Sequence, residues 1–295
     1  MGVRKALDAV RASLRTARSE EAPRHTPTAG AGSPPGLTRS LPAPVVVVIH
    51  AYYPDLLPEM LEFLGSWGFP YELHLTAPPE CADDLLAHLS RAGIQGVVHS
   101  FENRGRDILP FLQVARQLAT AEERLILKLH TKRSLHRGDG EVWRRDLMTK
   151  LLAPDSAGPI VQAMLADSRV GMVAPEGHVL SLRSFWGSNR SNVEGLAQRL
   201  GLPPVVPEQL AFVGGSMFWC RTAALRPLLA LDLDVGDFDP EAGQVDGTLA
   251  HAIERVFSLS TLRAGLRLTE SNAPYTEVAE GRRRYLHAGV AEDEG

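Results

Sequence analysis

Apolar residues along this chain keep two rhythms that take turns, one of strands and one of helices. Val45-Val46-Val47-Val48-Ile49 is a continuous β-branched run ending in His50, as expected of a parallel strand buried on both faces. Behind it Leu56, Leu57, Met60, Leu61 and Leu64 recur at helical spacing, with Asp55 placed as the helix cap. Residues 71–76 read as a second strand, 80–92 as a second helix and 97–101 as a third strand. The spacing then predicts a helix over 107–119, with Asp107 as its cap and Pro110 in its first turn. Leu125-Ile126-Leu127 opens a fourth strand. Strands and helices alternating at this interval predict an α/β fold: a Rossmann-type, doubly wound, mostly parallel sheet with flanking helices.

The second half is less regular. Helices are expected over 141–152, with Trp143, Leu147 and Leu151 inward, and from Asp155 to about 166, followed by a strand over 170–175. Residues 176–207 have weaker periodicity, and Trp186-Gly187-Ser188-Asn189-Arg190 within them reads as a mobile substrate loop. Phe212 to Arg221 reads as one apolar strand entered through Gly214-Gly215. Glycines there either let backbone come close to a ligand or mark a bulge. A short helix over 225–231 follows, and Asp246-Gly247-Thr248 opens a helix running to about Phe257, with His251 and Glu254 beside its apolar side. Ahead of the first strand, residues 4–18 form either a basic amphipathic anchor for a membrane or partner, or a solvated arm. Residues 19–43 have the Pro, Gly and Ser content of a linker.

Two polar clusters stand where these elements end. One is Asn103, Arg104, Arg106 and Asp107; the other is Lys128, His130, Thr131, Lys132, Arg133 and Ser134. In an open parallel sheet, ligands bind at the C-terminal ends of the strands. Cationic groups converging there, beside a helix N-terminus, suit a diphosphate. The plain alternative is a solvated charged face with one helix cap. Interleaving with Gly, Asn and Thr at the ends of apolar strands favours the ligand site.

Composition narrows the classes. The chain has 295 residues, 44% hydrophobic and 22% charged, with net charge -4. That balance argues against bulk-charge binding of nucleic acid, so an anion site must be a local pocket. Cys81 and Cys220 have no metal-ligand spacing, which makes a reducing cytoplasm the default. No apolar run reaches the roughly 18–20 residues that span a bilayer, and the start lacks a signal-type apolar core. A cytoplasmic protein is expected, peripheral at the inner membrane face if the basic segment binds lipid.

The chain resembles the rhamnan synthesis protein F family of polysaccharide-building glycosyltransferases. The blocks that carry the resemblance begin at Asn103-Arg104-Gly105-Arg106-Asp107, Lys128-Leu129-His130-Thr131-Lys132-Arg133, Gly171-Met172-Val173, Gly214-Gly215-Ser216-Met217 and Asp246-Gly247-Thr248, in that order. The resemblance covers roughly residues 45–260. It implies a GT-A-like enzyme that moves a sugar, rhamnose in many members, from a nucleoside-diphosphate sugar such as dTDP-rhamnose to a glycan or lipid-linked glycan acceptor. It also implies other polysaccharide-assembly enzymes as partners. One domain over 44–280 is expected, with a donor half over about 44–150, an acceptor half over about 151–280 and a tail over 281–295.

Within that resemblance the residues take roles. Arg104, Arg106, His130, Lys132 and Arg133 would neutralise the donor diphosphate. GT-A enzymes commonly carry an Asp-x-Asp there that holds a divalent ion; this chain has Lys128-Leu129-His130-Thr131-Lys132 instead, so no metal ligand is assigned. His50 and Tyr52 would meet the nucleotide base, and Asn103 and Asp107 ribose or sugar hydroxyls. Asp246 is either the base of an inverting transfer or a helix cap. Gly214, Gly215, His251 and Glu254 would border the acceptor. The competing reading is a non-catalytic carbohydrate-binding or assembly module on the same fold.

Overall fold

The structure, a computed structural model, describes residues 45–119, 122–131, 140–204 and 210–271. The expectations for 1–43 and for the tail over 281–295 lie outside these residues. Four strands, β1 (Val45–His50), β2 (Tyr71–Ala77), β3 (Val97–Ser100) and β4 (Leu125–His130), pair in parallel. The chain steps outward from β1 to β3, then returns to lay β4 on the other side of β1. The order of the sheet is completed by β8 (Phe218–Arg221), β5 (Val170–Ala174) and β9 (Arg267–Glu270), giving β3-β2-β1-β4-β8-β5-β9. Only β8 runs against its neighbours; β9 is parallel to β5. The α/β fold class expected from the pattern is the one observed.

Every residue of β1 and β4 is buried, and their alternation divides the interior in two. Val45, Val47, Ile49, Leu125, Leu127 and Leu129 join a core with α1 (Leu57–Gly65), α2 (Ala82–Ala92), α4 (Gly140–Leu152) and α5 (Pro154–Ala166). Val46, Val48 and Ile126 join the opposite core, with α3 (Ile108–Leu118), α7 (Arg190–Arg199), α8 (Thr222–Leu229) and α9 (Leu249–Arg263). With side chains alternating at period two, His50, Lys128 and His130 continue the second set. The register sets Val48 beside Lys128 and His50 beside His130. The polar groups at these two strand ends therefore share the side covered by α3 and α9.

Several expectations need correction. The run from Phe212 to Arg221 is two strands. β7 (Ala211–Val213) pairs with β6 (Val179–Ser181) in a separate two-stranded sheet, and β8 enters the main one. Between them Gly215 at φ 86° and Ser216 at φ 54° turn the chain, so the glycines break the run. Trp186–Arg190 is no loop: α6 (Leu182–Phe185), a 3-10 turn over Gly187–Asn189 and α7 follow one another, and Asn189 is fully buried. Asp55 lies inside a 3-10 turn, and α1 starts without a side-chain cap. Asp107 occupies the N-cap position of α3 but makes no capping bond. Asp246 is not a cap either, because Thr248 holds that position on α9. Among the described residues, no helix is long and apolar enough to cross a membrane.

Candidate active site

Where β1 and β4 end side by side, the sheet reverses its winding, and crevices form at such switch points. A cleft of about 690 Å³ opens there. Its walls are the ends of β1 and β4, the turn at Gly215-Ser216, the start of α3, residues 241–246 and the first turns of α9.

Its floor is a buried ion pair. Lys128 is 1% exposed, and its Nζ donates to Asp107 Oδ2 at 2.5 Å, Ser216 O at 2.8 Å and Ser216 Oγ at 2.9 Å. Three acceptors take the three protons of the ammonium. The rings of Phe111, Phe218 and Phe257 surround it, at 5.4 to 5.8 Å from ring centre to Nζ. Burial works against a charge on Asp107, but Lys128, with His130 and His50 nearby, holds its carboxyl well below the usual carboxylate range. Lys128 therefore serves Asp107 and the Ser216 turn, and is not a member of an open cationic cluster.

The turn above that floor is held from two more directions. His130 Nε2–H donates to Gly215 O at 2.7 Å, and Gly215 N–H donates to Glu254 Oε1 at 2.8 Å. A Cβ on Gly215 would lie 2.7 Å from Trp143 Cη2, so only glycine fits. Gly214 is outside the cleft wall, with its N–H on His178 O at 2.9 Å.

His50 is buried, with Nδ1 3.0 Å from Thr76 Oγ1. Burial, reinforced by His130 and Lys128 and opposed by Asp107, pushes its pKa down to about 4, so the ring is uncharged at neutral pH. Tyr52 stacks beside it with ring centres 6.4 Å apart, and Asn103 Nδ2 donates to the Tyr52 hydroxyl at 3.5 Å. The Thr131 hydroxyl accepts the Tyr53 N–H at 2.9 Å, tying the ends of β1 and β4 together.

The two arginines of the first cluster are engaged by a distant loop. Arg104 does not line the cleft; its Nε donates to Phe238 O at 3.0 Å, and its backbone bridges to Pro240. Arg106 does line it, at φ 54°, with its guanidinium on Gln244 O and Nε 3.6 Å from Glu241 Oε2. Carbonyls of residues far along the chain consume these cations, and no local pattern reveals that. Lys132 and Arg133 lie outside the described residues.

Asp246 stands on the opposite wall. Its Oδ1 accepts from Asn189 Nδ2 at 2.6 Å and its Oδ2 from Ser188 N–H at 2.8 Å. On α9, His251 Nδ1 lies 2.7 Å from the Thr248 hydroxyl, and Glu254 Oε2 lies 3.8 Å from Arg255 Nη1. The structure thus brings His50, Tyr52, Asn103, Arg106, Asp107, His130, Gly215, Asp246, His251 and Glu254 to one cleft. Sequence reasoning missed Glu241, Ser216 and Arg255 on its walls, and Asn189 behind Asp246. Ser216 carries no signal of its own, whereas Arg255 is a charged residue amid the buried positions of α9, and Asn189 sits in the segment expected to be a substrate loop.

The end of β4 does not fit a hard divalent ion. Such ions want carboxylate and carbonyl oxygens, and Lys128 and His130 offer N–H donors that are already bonded. Among the described residues no cluster of three or more His, Cys, Asp or Glu side chains is arranged to hold a metal.

A family model described as "Rhamnan synthesis protein F" matches residues 38–265. The chain is 45% identical over 223 residues to "Uncharacterized protein WxcX" of Xanthomonas campestris pv. campestris, in strain B100 and in strain ATCC 33913 alike. The match covers 76% of this chain and 32% of each relative, so the chain spans about a third of the length of the curated relatives it matches. Among solved structures, one described as "Crystal structure of 4-diphosphocytidyl-2C-methyl-D-erythritol synthase" aligns with 81% of this chain and 93% of that chain, at 14% identity and a TM-score of 0.43.

Proposed function

Because the chain belongs to the rhamnan synthesis protein F family, we propose that it is a GT-A-like inverting glycosyltransferase. Its donor is a nucleoside-diphosphate sugar, taken to be dTDP-rhamnose, and its acceptor a growing cell-surface polysaccharide. The observation that carries the reading is a single cleft at the β1/β4 switch point with an oriented carboxylate, Asp246, across from His50 and Tyr52.

In this reading the base of the nucleotide rests on Tyr52 beside uncharged His50, and Asn103 and Asp107 meet ribose or sugar hydroxyls. The diphosphate lies toward Arg106 and His130, with Lys132 and Arg133 next along the chain. Asp246 takes the proton of the acceptor hydroxyl as its oxygen attacks the anomeric carbon. The bond from that carbon to the diphosphate oxygen breaks, and its electron pair leaves with the diphosphate. Neutralising that charge is the largest task left to the site. Gly215, His251 and Glu254 border the acceptor.

A second reading, a carbohydrate-binding or assembly module without turnover, is favoured by the engagement of Arg104 and Arg106 with the 238–244 loop. A thermal-shift screen of nucleoside diphosphates and their sugars, with and without Mg²⁺, separates the two in combination with donor hydrolysis. A ligand that binds the native state raises the melting temperature by mass action. The transferase reading expects a selective shift with thymidine nucleotides and slow release of thymidine diphosphate from dTDP-rhamnose without acceptor. A folded sample with neither response refutes it.

A further inference from the structure

Asp246 is approached from an element that the periodicity does not connect with it, the helical corner after β6. Gly187 stands there at φ 54°, and a Cβ on it would collide with the Asp246 carboxylate, whose Cγ would be 3.0 Å away. The absent side chain is what lets the corner close on the carboxylate. Oδ1 then accepts from Asn189 Nδ2 and Oδ2 from Ser188 N–H, and the Gly247 backbone adds a further bond to the carboxylate. Asn189 is 0% exposed, and its Nδ2 also donates to Trp186 O at 3.0 Å, so the donor is itself fixed. Bonds to both oxygens stop the carboxylate from turning, while Asp246 still lines the cleft.

We propose that Gly187, Ser188 and Asn189 form a cradle that aims Asp246 at the acceptor, with Asn189 as a positioning residue for the transfer. The inference rests on reading Asp246 as the base. Partial burial works against the charge, but the bonds from Asn189, Ser188 and Gly247, with Arg255 nearby, outweigh it and hold the carboxyl below the usual range. Arg106, Glu241, His251, Glu254 and Arg255 are the other charged or titratable groups on this side of the cleft.

The test follows Asp246 directly, by carbon NMR of aspartate carboxyls in the full chain, its signal assigned by its loss in Asp246→Asn. In Asn189→Ala this signal titrates at higher pH than in the wild type. Release of thymidine diphosphate from dTDP-rhamnose then loses about tenfold in kcat at the acid end of the profile, recovers toward alkaline pH, and keeps its KM. If Asn189→Ala does not fold, the near-isosteric Asn189→Asp sets a second carboxylate against the first and raises the titration further. Gly187→Ala, which displaces the carboxylate, lowers kcat at every pH. An Asp246 signal that titrates unchanged in the Asn189 variants overturns the cradle, whatever the activity. A shifted titration with full turnover in Asp246→Asn overturns the base, and with it the positioning role. No turnover by the wild type refutes the rhamnosyl reading, while the titration still decides whether the cradle exists.

Discussion

At the scale of residues, the floor of the cleft is where single substitutions cost most. Lys128 and Asp107 are paired under three phenyl rings, and removing one partner leaves the other charge uncompensated. Lys128→Met is expected to lose about 3–5 kcal/mol of stability. Adding Asp107→Asn should restore much of that, because the two sites share one interaction. Denaturant titration of the three variants measures both quantities. His50 makes a pH prediction. Its pKa falls from an ordinary 6.5 to about 4 in the fold, so between those values the unfolded chain binds the extra proton. Its share of stability is complete above about pH 6.5 and is lost as the pH falls toward 4, about 3 kcal/mol in all. Denaturation at pH 7 and pH 5 should show a smaller drop in His50→Gln than in the wild type, which also carries lowered His74 and His99.

Among the elements, the Gly215-Ser216 turn is the part most exposed to a test. It sits at positive φ against Trp143, and its two residues are held by Lys128, His130 and Glu254. Gly215→Ala combines backbone strain with a collision and should cost about 2–4 kcal/mol. Gly177→Ala, also at positive φ but with open space around the added carbon, should cost about 1 kcal/mol. Thermal melts of the pair distinguish strain from crowding. This turn also marks where reading from sequence stopped. Strands β1 and β4 announce themselves, because a strand buried on both faces opens as a continuous apolar run. That β8 runs backwards does not, since direction leaves no trace in a run of four buried residues. Asp246 shows the same limit: its Gly-Thr context looks like a helix start, but its carboxylate answers to Asn189, 57 positions earlier.

For the molecule as a whole, the winding was legible and the wiring of the cleft was not. Regular alternation from Val45 to His130 fixes the parallel half and its switch point, and so the place where polar side chains from two strands meet. Which of those side chains remain open depends on the loop at 238–244 and on α9, which arrive from the far end. The reversed strand β8 carries a further consequence, one of timing. Lys128 is completed by Ser216, 88 positions later, and β4 takes its second neighbour only when β8 docks. Such long-range pairings form late and slowly. During synthesis, the half of the sheet from Val45 to His130 emerges first with β4 as a bare edge. The wall that the Gly215-Ser216 turn supplies is therefore made last, and a chain that stops before Ser216 leaves Lys128 without two of its three acceptors.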